Sequence, residues 1–483
     1  MWDLRFFQVF LIFAITSLIT TCSGAVDHGN VALDHARNAR VDEASLSHLT
    51  PSKRQASGLT TVIASTVTVA LVPASSCPPD YNPNVAPTPD CFIEAGPIRD
   101  VFAAMGDSFG SGIGAGKQWM DLAEKDRCKR GDQSVGYQLY LEPNWWWNSH
   151  NHHDVNYTAC SGSKSSDMFK DGPDFKGEPP QNRQFAAIQN DAAVLWIGGN
   201  DAHFFKILDG CVYNFYGPFS IGCTDAIRDT LLTLQKDEFR QHLTTVYAEI
   251  LQAANPKAEH FTLYVLGYPR FWNQDTSECD TSRMAFWNWY PGPELLQENR
   301  RDMNDLTLEL NNVIKDLVAR IGAGLVGDSR RIRYMDTDPV FEGHRFCEPG
   351  SKEPNPSNPN NYFFQLYDLD LSPDGTQQDN LPFLPNSSST GVASLPNADA
   401  CKFALQEPGI SELDYGEIAT CEISVVLQRY PNVTLDDSAY KSARGSDYSQ
   451  AAYGRIFHPK SMGYTKVKDL IMAKIKADEQ GSS

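Results

Sequence analysis

The sequence predicts an α/β fold with a parallel sheet covered on both faces. Two observations carry this. Short apolar runs recur along the chain, and segments with helical apolar periodicity lie between them. The runs are Asp100–Met105, Ala192–Ile197, Phe261–Leu266 and a weaker one at Arg331–Met335. Their length and abrupt ends at glycine mark buried strands. Residues 305–321 place Leu306, Leu310, Val313, Leu317 and Ile321 on one helical face. Residues 227–254 follow the same pattern, and a last helix follows Pro459. Residues 349 to about 450 break the rhythm, with Pro, Asn, Asp and Ser recurring throughout. They are expected to form a long irregular insertion, either a lid over a cleft or a glycosylated surface loop.

Composition narrows the class. The chain has 483 residues, of which 41% are hydrophobic and 21% charged, and it carries a net charge of −19. That balance suits a globular domain with a sizeable core. It excludes a basic footprint for nucleic acid and attraction to anionic membranes. The N-terminus reads as a signal peptide over residues 1–25. Arg5 is the positive flank, Phe6–Ile19 the apolar core, and Ser23-Gly24-Ala25 the cleavage region. The apolar run is too short and interrupted for a stable membrane span. Residues 26–54 are polar, end in Lys53-Arg54, and read as a pro-segment or an exposed linker. Residues 55–96 read as an N-terminal extension, and 97–483 as the main domain. Ten cysteines remain beyond Cys22, an even set that implies disulfides in an exported protein. Close spacings suggest Cys77–Cys91, Cys211–Cys223 and Cys401–Cys421. No C-x-x-C pair supports a metal site. Sequons at Asn156, Asn386 and Asn432 fit the same secreted, extracellular route.

The chemistry begins at Phe102-Ala-Ala-Met-Gly106-Asp107-Ser108-Phe109-Gly110. A serine just past a buried strand, on a glycine-loosened turn, is where an α/β enzyme displays a nucleophile. Asp107 is expected to shape that turn. Strands of an open parallel sheet share one ligand-binding edge at their carboxyl ends. Asn200, in Ile197-Gly-Gly-Asn-Asp-Ala202, therefore belongs at the same edge as Ser108. The Ser108 N–H and the Asn200 amide can both donate to one developing oxyanion. Gly162, in Ala159-Cys-Ser-Gly-Ser163, offers a third N–H. For the base, His458 stands out because Pro459 fixes the backbone after it just before a helix. His344, beside Cys347, reads as structural, and His152 and His153 as solvated loop.

Gly106-Asp107-Ser108, Gly162, Gly199-Asn200-Asp201 and His458-Pro459, in this order, resemble the four blocks of the SGNH (GDSL-type) hydrolases. Cys128, Cys160-Ser-Gly162, Gly267-Tyr-Pro-Arg270 and Gly343-His344-x-x-Cys347 resemble its secreted, disulfide-containing esterase and lipase branch. The resemblance covers residues 98–348 and 450–478. It implies a three-layer α/β/α sandwich, ester hydrolysis through an acyl-enzyme, and no metal or other cofactor. Carried over, Ser108 is the nucleophile and His458 the base. Gly162 and Asn200 join the Ser108 N–H as oxyanion donors. The family usually places an aspartate three residues before the histidine, where this chain has Arg455. Its main-chain carbonyl is expected to orient the imidazole, as in a dyad, with Asp447 as a second candidate. The α/β-hydrolase elbow also matches Gly106-x-Ser108-x-Gly110, but that elbow normally follows several strands. The expected protein is a monomeric secreted esterase or lipase acting on a lipid, polyester or acetylated glycan. The alternatives are a carbohydrate acetylesterase and a non-catalytic binding protein.

Overall fold

The computed structural model describes residues 100–117, 127–142, 153–254, 261–325, 328–356, 358–378, 395–406, 413–436, 438–440 and 450–480. The expected signal peptide, pro-segment, extension and Cys77–Cys91 bridge lie outside them, as do His152, Asn386 and Asp447.

Five strands form the central sheet. They are β1 (Asp100–Gly106), β2 (His153–Tyr157), β3 (Ala192–Trp196), β4 (Thr262–Leu266) and β5 (Arg331–Met335). Their spatial order is β2-β1-β3-β4-β5, with every pairing parallel. This doubly wound order reverses direction beside β1, so the ends of β1 and β3 flank the crevice where such sheets bind ligands. All five residues of β3 and of β4 are buried, which is why both read as continuous apolar runs. Edge strand β5 buries only Ile332 and Met335 among its five residues.

β2 corrects the reading of His153 as loop. Its sequence His-Asp-Val-Asn-Tyr has no apolar run, because an edge strand needs few inward residues, here Tyr157 and half-buried Val155. The helices Val135–Tyr140 and Ser461–Gln480 pack together beside β1. Gly136 allows that approach, since a Cβ there would lie 2.3 Å from the Ala104 side chain. The helices Gln181–Ala186, Asp237–Ala253 and Gln297–Gly324 cover the other face, which completes a three-layer α/β/α sandwich. The segment read as one helix over 227–254 is two, Cys223–Gln235 and Asp237–Ala253. Extended Lys236 (φ −70°, ψ 137°) separates them.

Among the described residues, four disulfides join Cys128–Cys160, Cys211–Cys223, Cys279–Cys347 and Cys401–Cys421. Among the described residues no helix is long and apolar enough to cross a membrane.

The stretch after residue 349 does more than decorate the surface. Phe363, Phe364, Leu366 and Tyr367 are buried, and the helix Tyr415–Arg429 packs its start against the core. Phe364 N–H donates to the His458 carbonyl at 2.9 Å, and Phe457 N–H to the Phe364 carbonyl at 2.8 Å. The loop that carries His458 is thus bonded main chain to main chain to the inserted segment.

Candidate active site

β1 ends at Gly106, whose φ of +130° and closeness to Trp196 exclude a side chain. The next residue, Asp107, is extended and caps the short helix Ser108–Ser111, its Oδ1 accepting the Phe109 N–H at 2.9 Å. Its Oδ2 accepts the Tyr268 hydroxyl at 2.5 Å, and that hydroxyl accepts the Gly199 N–H at 2.9 Å. One buried chain of hydrogen bonds therefore ties together the ends of β1, β4 and β3. Burial pushes the Asp107 carboxyl up to about 7. Tyr268 escaped the sequence reading, although Gly267-Tyr268-Pro269-Arg270 at a strand end was its signal.

The turn at Gly162 (φ +92°) is braced from both sides. Asn200 Nδ2 donates to the Ser163 carbonyl at 2.9 Å. An amide nitrogen has two hydrogens, so the second stays free for a ligand. Asp201 accepts from Ser165, N–H at 2.9 Å and O–H at 2.5 Å. Cys128–Cys160 anchors the same turn two residues before Gly162.

Ser108 and His458 lie 350 positions apart in the chain, yet Ser108 Oγ and His458 Nε2 are 2.7 Å apart. His458 is wholly buried. Its ring lies 4.7 Å from Phe109 and 5.7 Å from Tyr415, centroid to centroid, nearly parallel to the latter at 11°. Burial holds the imidazole down at about 4. Among the described residues no carboxylate bonds to the ring. The Arg455 carbonyl, expected behind it, accepts the His458 main-chain N–H at 2.9 Å. Ring Nδ1 instead faces the Ile456 carbonyl at 3.1 Å. The shift by one residue has a backbone cause. Phe457 adopts φ +64°, a left-handed conformation rare outside glycine, which turns the Ile456 peptide back toward the ring. The Arg455 guanidinium stacks on Phe364 and donates to the Asp368 carbonyl. His344 sits elsewhere, stacked on Tyr362 with Nδ1 2.8 Å from the Asn360 carbonyl.

Ser108 and Asn200 line one pocket. Most of its wall is apolar, including Phe204, Ile207, Leu208, Met303, Leu306 and Leu310. It reaches between the helices Cys223–Gln235 and Gln297–Gly324, which contribute Thr230 and Thr307.

No protein-family model matches the sequence. Two curated proteins do. A "Lipase" from Streptomyces rimosus is 27% identical over 248 residues, 51% of this chain and 73% of that protein. "Lipase 1" from Streptomyces coelicolor is 25% identical over 252 residues, again 51% and 73%. Among solved structures, the extracellular lipase from Streptomyces rimosus aligns with a TM-score of 0.38 and 25% identity, over 52% of this chain and 86% of that one. The phospholipase A1 from Streptomyces albidoflavus gives 0.39 and 22%, over 56% and 88%. With its sequence blocks gathered at one edge of a parallel α/β/α sheet, the chain resembles the SGNH hydrolases and is similar in sequence to two curated lipases.

Proposed function

We propose that this protein is a secreted serine ester hydrolase that cleaves esters of aliphatic carboxylic acids. The observation that carries the reading is the 2.7 Å contact of Ser108 Oγ with His458 Nε2 at the mouth of an apolar cavity. The lipase relatives support the reaction class. His458 takes the Ser108 proton as Oγ attacks the ester carbonyl. The carbonyl oxygen gains the charge and is received by the Ser108 and Gly162 N–H groups and the free Asn200 N–H. The tetrahedral intermediate collapses, the alcohol leaves with the proton from His458, and an acyl-Ser108 ester remains. Water, deprotonated by His458, then attacks that ester and releases the acid.

The cavity favours an alkyl acyl chain. An acetyl group would leave most of its apolar wall without a partner, so the acetylesterase reading has less support. The domain organisation belongs to the same proposal. Residues 1–25 are removed on export, 26–54 form a pro-segment and 55–96 an extension. Residues 97–483 form the hydrolase domain, with its insertion at about 349–450. The four disulfides support an extracellular destination.

A fluorophosphonate probe and p-nitrophenyl esters of graded acyl length test this reading. Labelling at Ser108 and turnover absent from Ser108→Ala are expected, with longer chains preferred to acetate. Labelling at another serine would refute the site. No labelling and no turnover would leave a non-catalytic binding protein, the reading in which Arg455 has replaced the usual carboxylate.

A further inference from the structure

We infer that Tyr415, supplied by the inserted segment, is a positioning residue that fixes the carbonyl on which His458 rests. The inference rests on the Ser108–His458 reading. With no carboxylate among the described residues bonded to the ring, the Nδ1–H of His458 rests on the Ile456 carbonyl, 3.1 Å away. A main-chain carbonyl serves as an orienting acceptor only if its peptide plane is held. Here that peptide precedes the left-handed Phe457 (φ +64°), a conformation the local chain does not favour by itself.

Tyr415 supplies the hold. Its hydroxyl donates to the same Ile456 oxygen. A carbonyl oxygen has two lone pairs, so it accepts the phenol and the imidazole together. The Tyr415 ring lies parallel to the imidazole, 5.7 Å away and tilted by 11°, which restricts the plane His458 can take. Burial pushes the phenol well above its ordinary range, so it remains a donor across the working pH.

Tyr415 is itself anchored. It is the first residue of the helix Tyr415–Arg429, and Asp414 caps that helix. The Asp414 carboxylate is buried and ion-paired with Lys129 and with Lys176, the latter at 2.9 Å. The two lysines hold it well below the usual carboxylate range. Asp414 also abuts Gly162, where an added Cβ would lie 3.1 Å from the Asp414 side chain. The inserted helix therefore begins wedged between the oxyanion turn and the histidine. Among the described residues, Ser108, Tyr415 and, more distantly, Asp414 face His458.

Tyr415→Phe removes the hydroxyl and keeps the stacked ring. Purified variant and wild type are compared by steady-state hydrolysis of a p-nitrophenyl ester, by thermal melting and by the proton resonance of His458 Nδ1–H. The expected result is a kcat lower by about five- to tenfold, the rate equivalent of one neutral hydrogen bond. KM and melting temperature stay close to wild type, and the Nδ1–H resonance moves. Tyr415→4-aminophenylalanine, which restores an N–H donor, is expected to recover most of kcat and guards against a folding artefact in the first variant. An unchanged kcat and resonance would overturn the inference. So would a loss shared by kcat, KM and melting temperature that the amino variant does not reverse. If wild type hydrolyses no ester while the resonance still moves in Tyr415→Phe, the proposed function fails and the positioning role stands.

Discussion

The burial of His458 predicts an enzyme that keeps working in acid. An imidazole in water titrates near 6.5, and burial takes this one down to about 4. At pH 5 an ordinary histidine is only about 3% neutral, whereas one that titrates near 4 is about 90% neutral, a difference of about thirtyfold in available base. The cause is the loss of water around the ring, which Phe109, Phe204 and Tyr415 enclose. The assay is kcat/KM against pH with a short-chain p-nitrophenyl ester, read at the isosbestic wavelength of the product. Its acid limb reports the free-enzyme base and is expected near pH 4 to 5. An acid limb at about 6.5 or above would refute the reasoning, since it would mean that the imidazole is hydrated. Stability runs the other way. As pH falls from about 6.5 toward 4, the unfolded chain binds a proton at this residue and the folded chain does not. His458 alone then withdraws about 3 kcal/mol by the bottom of that window. Asp107 has the opposite sign. Its folded carboxyl keeps its proton up to about 7, so it withdraws stability as pH rises through the interval above 3.8.

Other substitutions probe the site one part at a time. Asn200→Ala removes the proposed oxyanion donor and is expected to cut kcat by about 10²- to 10³-fold while KM changes little, measured by steady-state kinetics. Gly106→Ala would place a Cβ 2.0 Å from the Trp196 carbonyl oxygen at φ +130°, so denaturant unfolding should show a loss of more than about 3 kcal/mol or no soluble protein. Thr230 lines the apolar cavity, and its buried hydroxyl has no hydrogen-bond partner among the described residues. Thr230→Val is expected to raise the melting temperature and lower KM for alkyl esters, because an unsatisfied buried hydroxyl costs about 1 to 3 kcal/mol.

The strands that were legible were those buried on both faces. β3 and β4 announce themselves because five consecutive residues point into packed layers, and burial on both sides leaves no polar alternation. β2 has a polar sequence in which even Asn156 is buried, so nothing local distinguishes it from a loop. Ser108, Asn200 and His458 were legible because glycine and proline punctuate their loops, and because parallel strands deliver their ends to one edge. Tyr415 was not. It opens a helix whose buried Tyr415, Ala419, Ile423 and Val426 keep a helical period that the surrounding Pro-, Asn- and Ser-rich stretch obscured, and its partner, the Ile456 carbonyl, is main chain that sequence cannot rank above the carbonyl of Arg455. Only the positive φ of Phe457 decides between those two acceptors, and no residue type there forecasts it.

Arg455 shows what the chain does in place of the usual carboxylate. Its side chain is buried and directed away from the imidazole, stacked on Phe364 and bonded to the Asp368 carbonyl. Both partners belong to the inserted segment. The same segment bonds main chain to main chain on either side of the histidine, at Phe457 and His458 through Phe364 and at Lys460 through Tyr362. An imidazole held by its own backbone in this way needs no side-chain carboxylate for orientation. It does lose the charge that would stabilise the imidazolium, and a carbonyl dipole replaces only part of that. In the proposed mechanism the transition state then depends more heavily on the proposed oxyanion donors. That dependence fits the bracing of the Gly162 turn by a disulfide, by Asn200 and by Asp201. In the proposed mechanism the inserted segment thus orients His458 by geometry, and the donors proposed at 108, 162 and 200 carry the remaining charge.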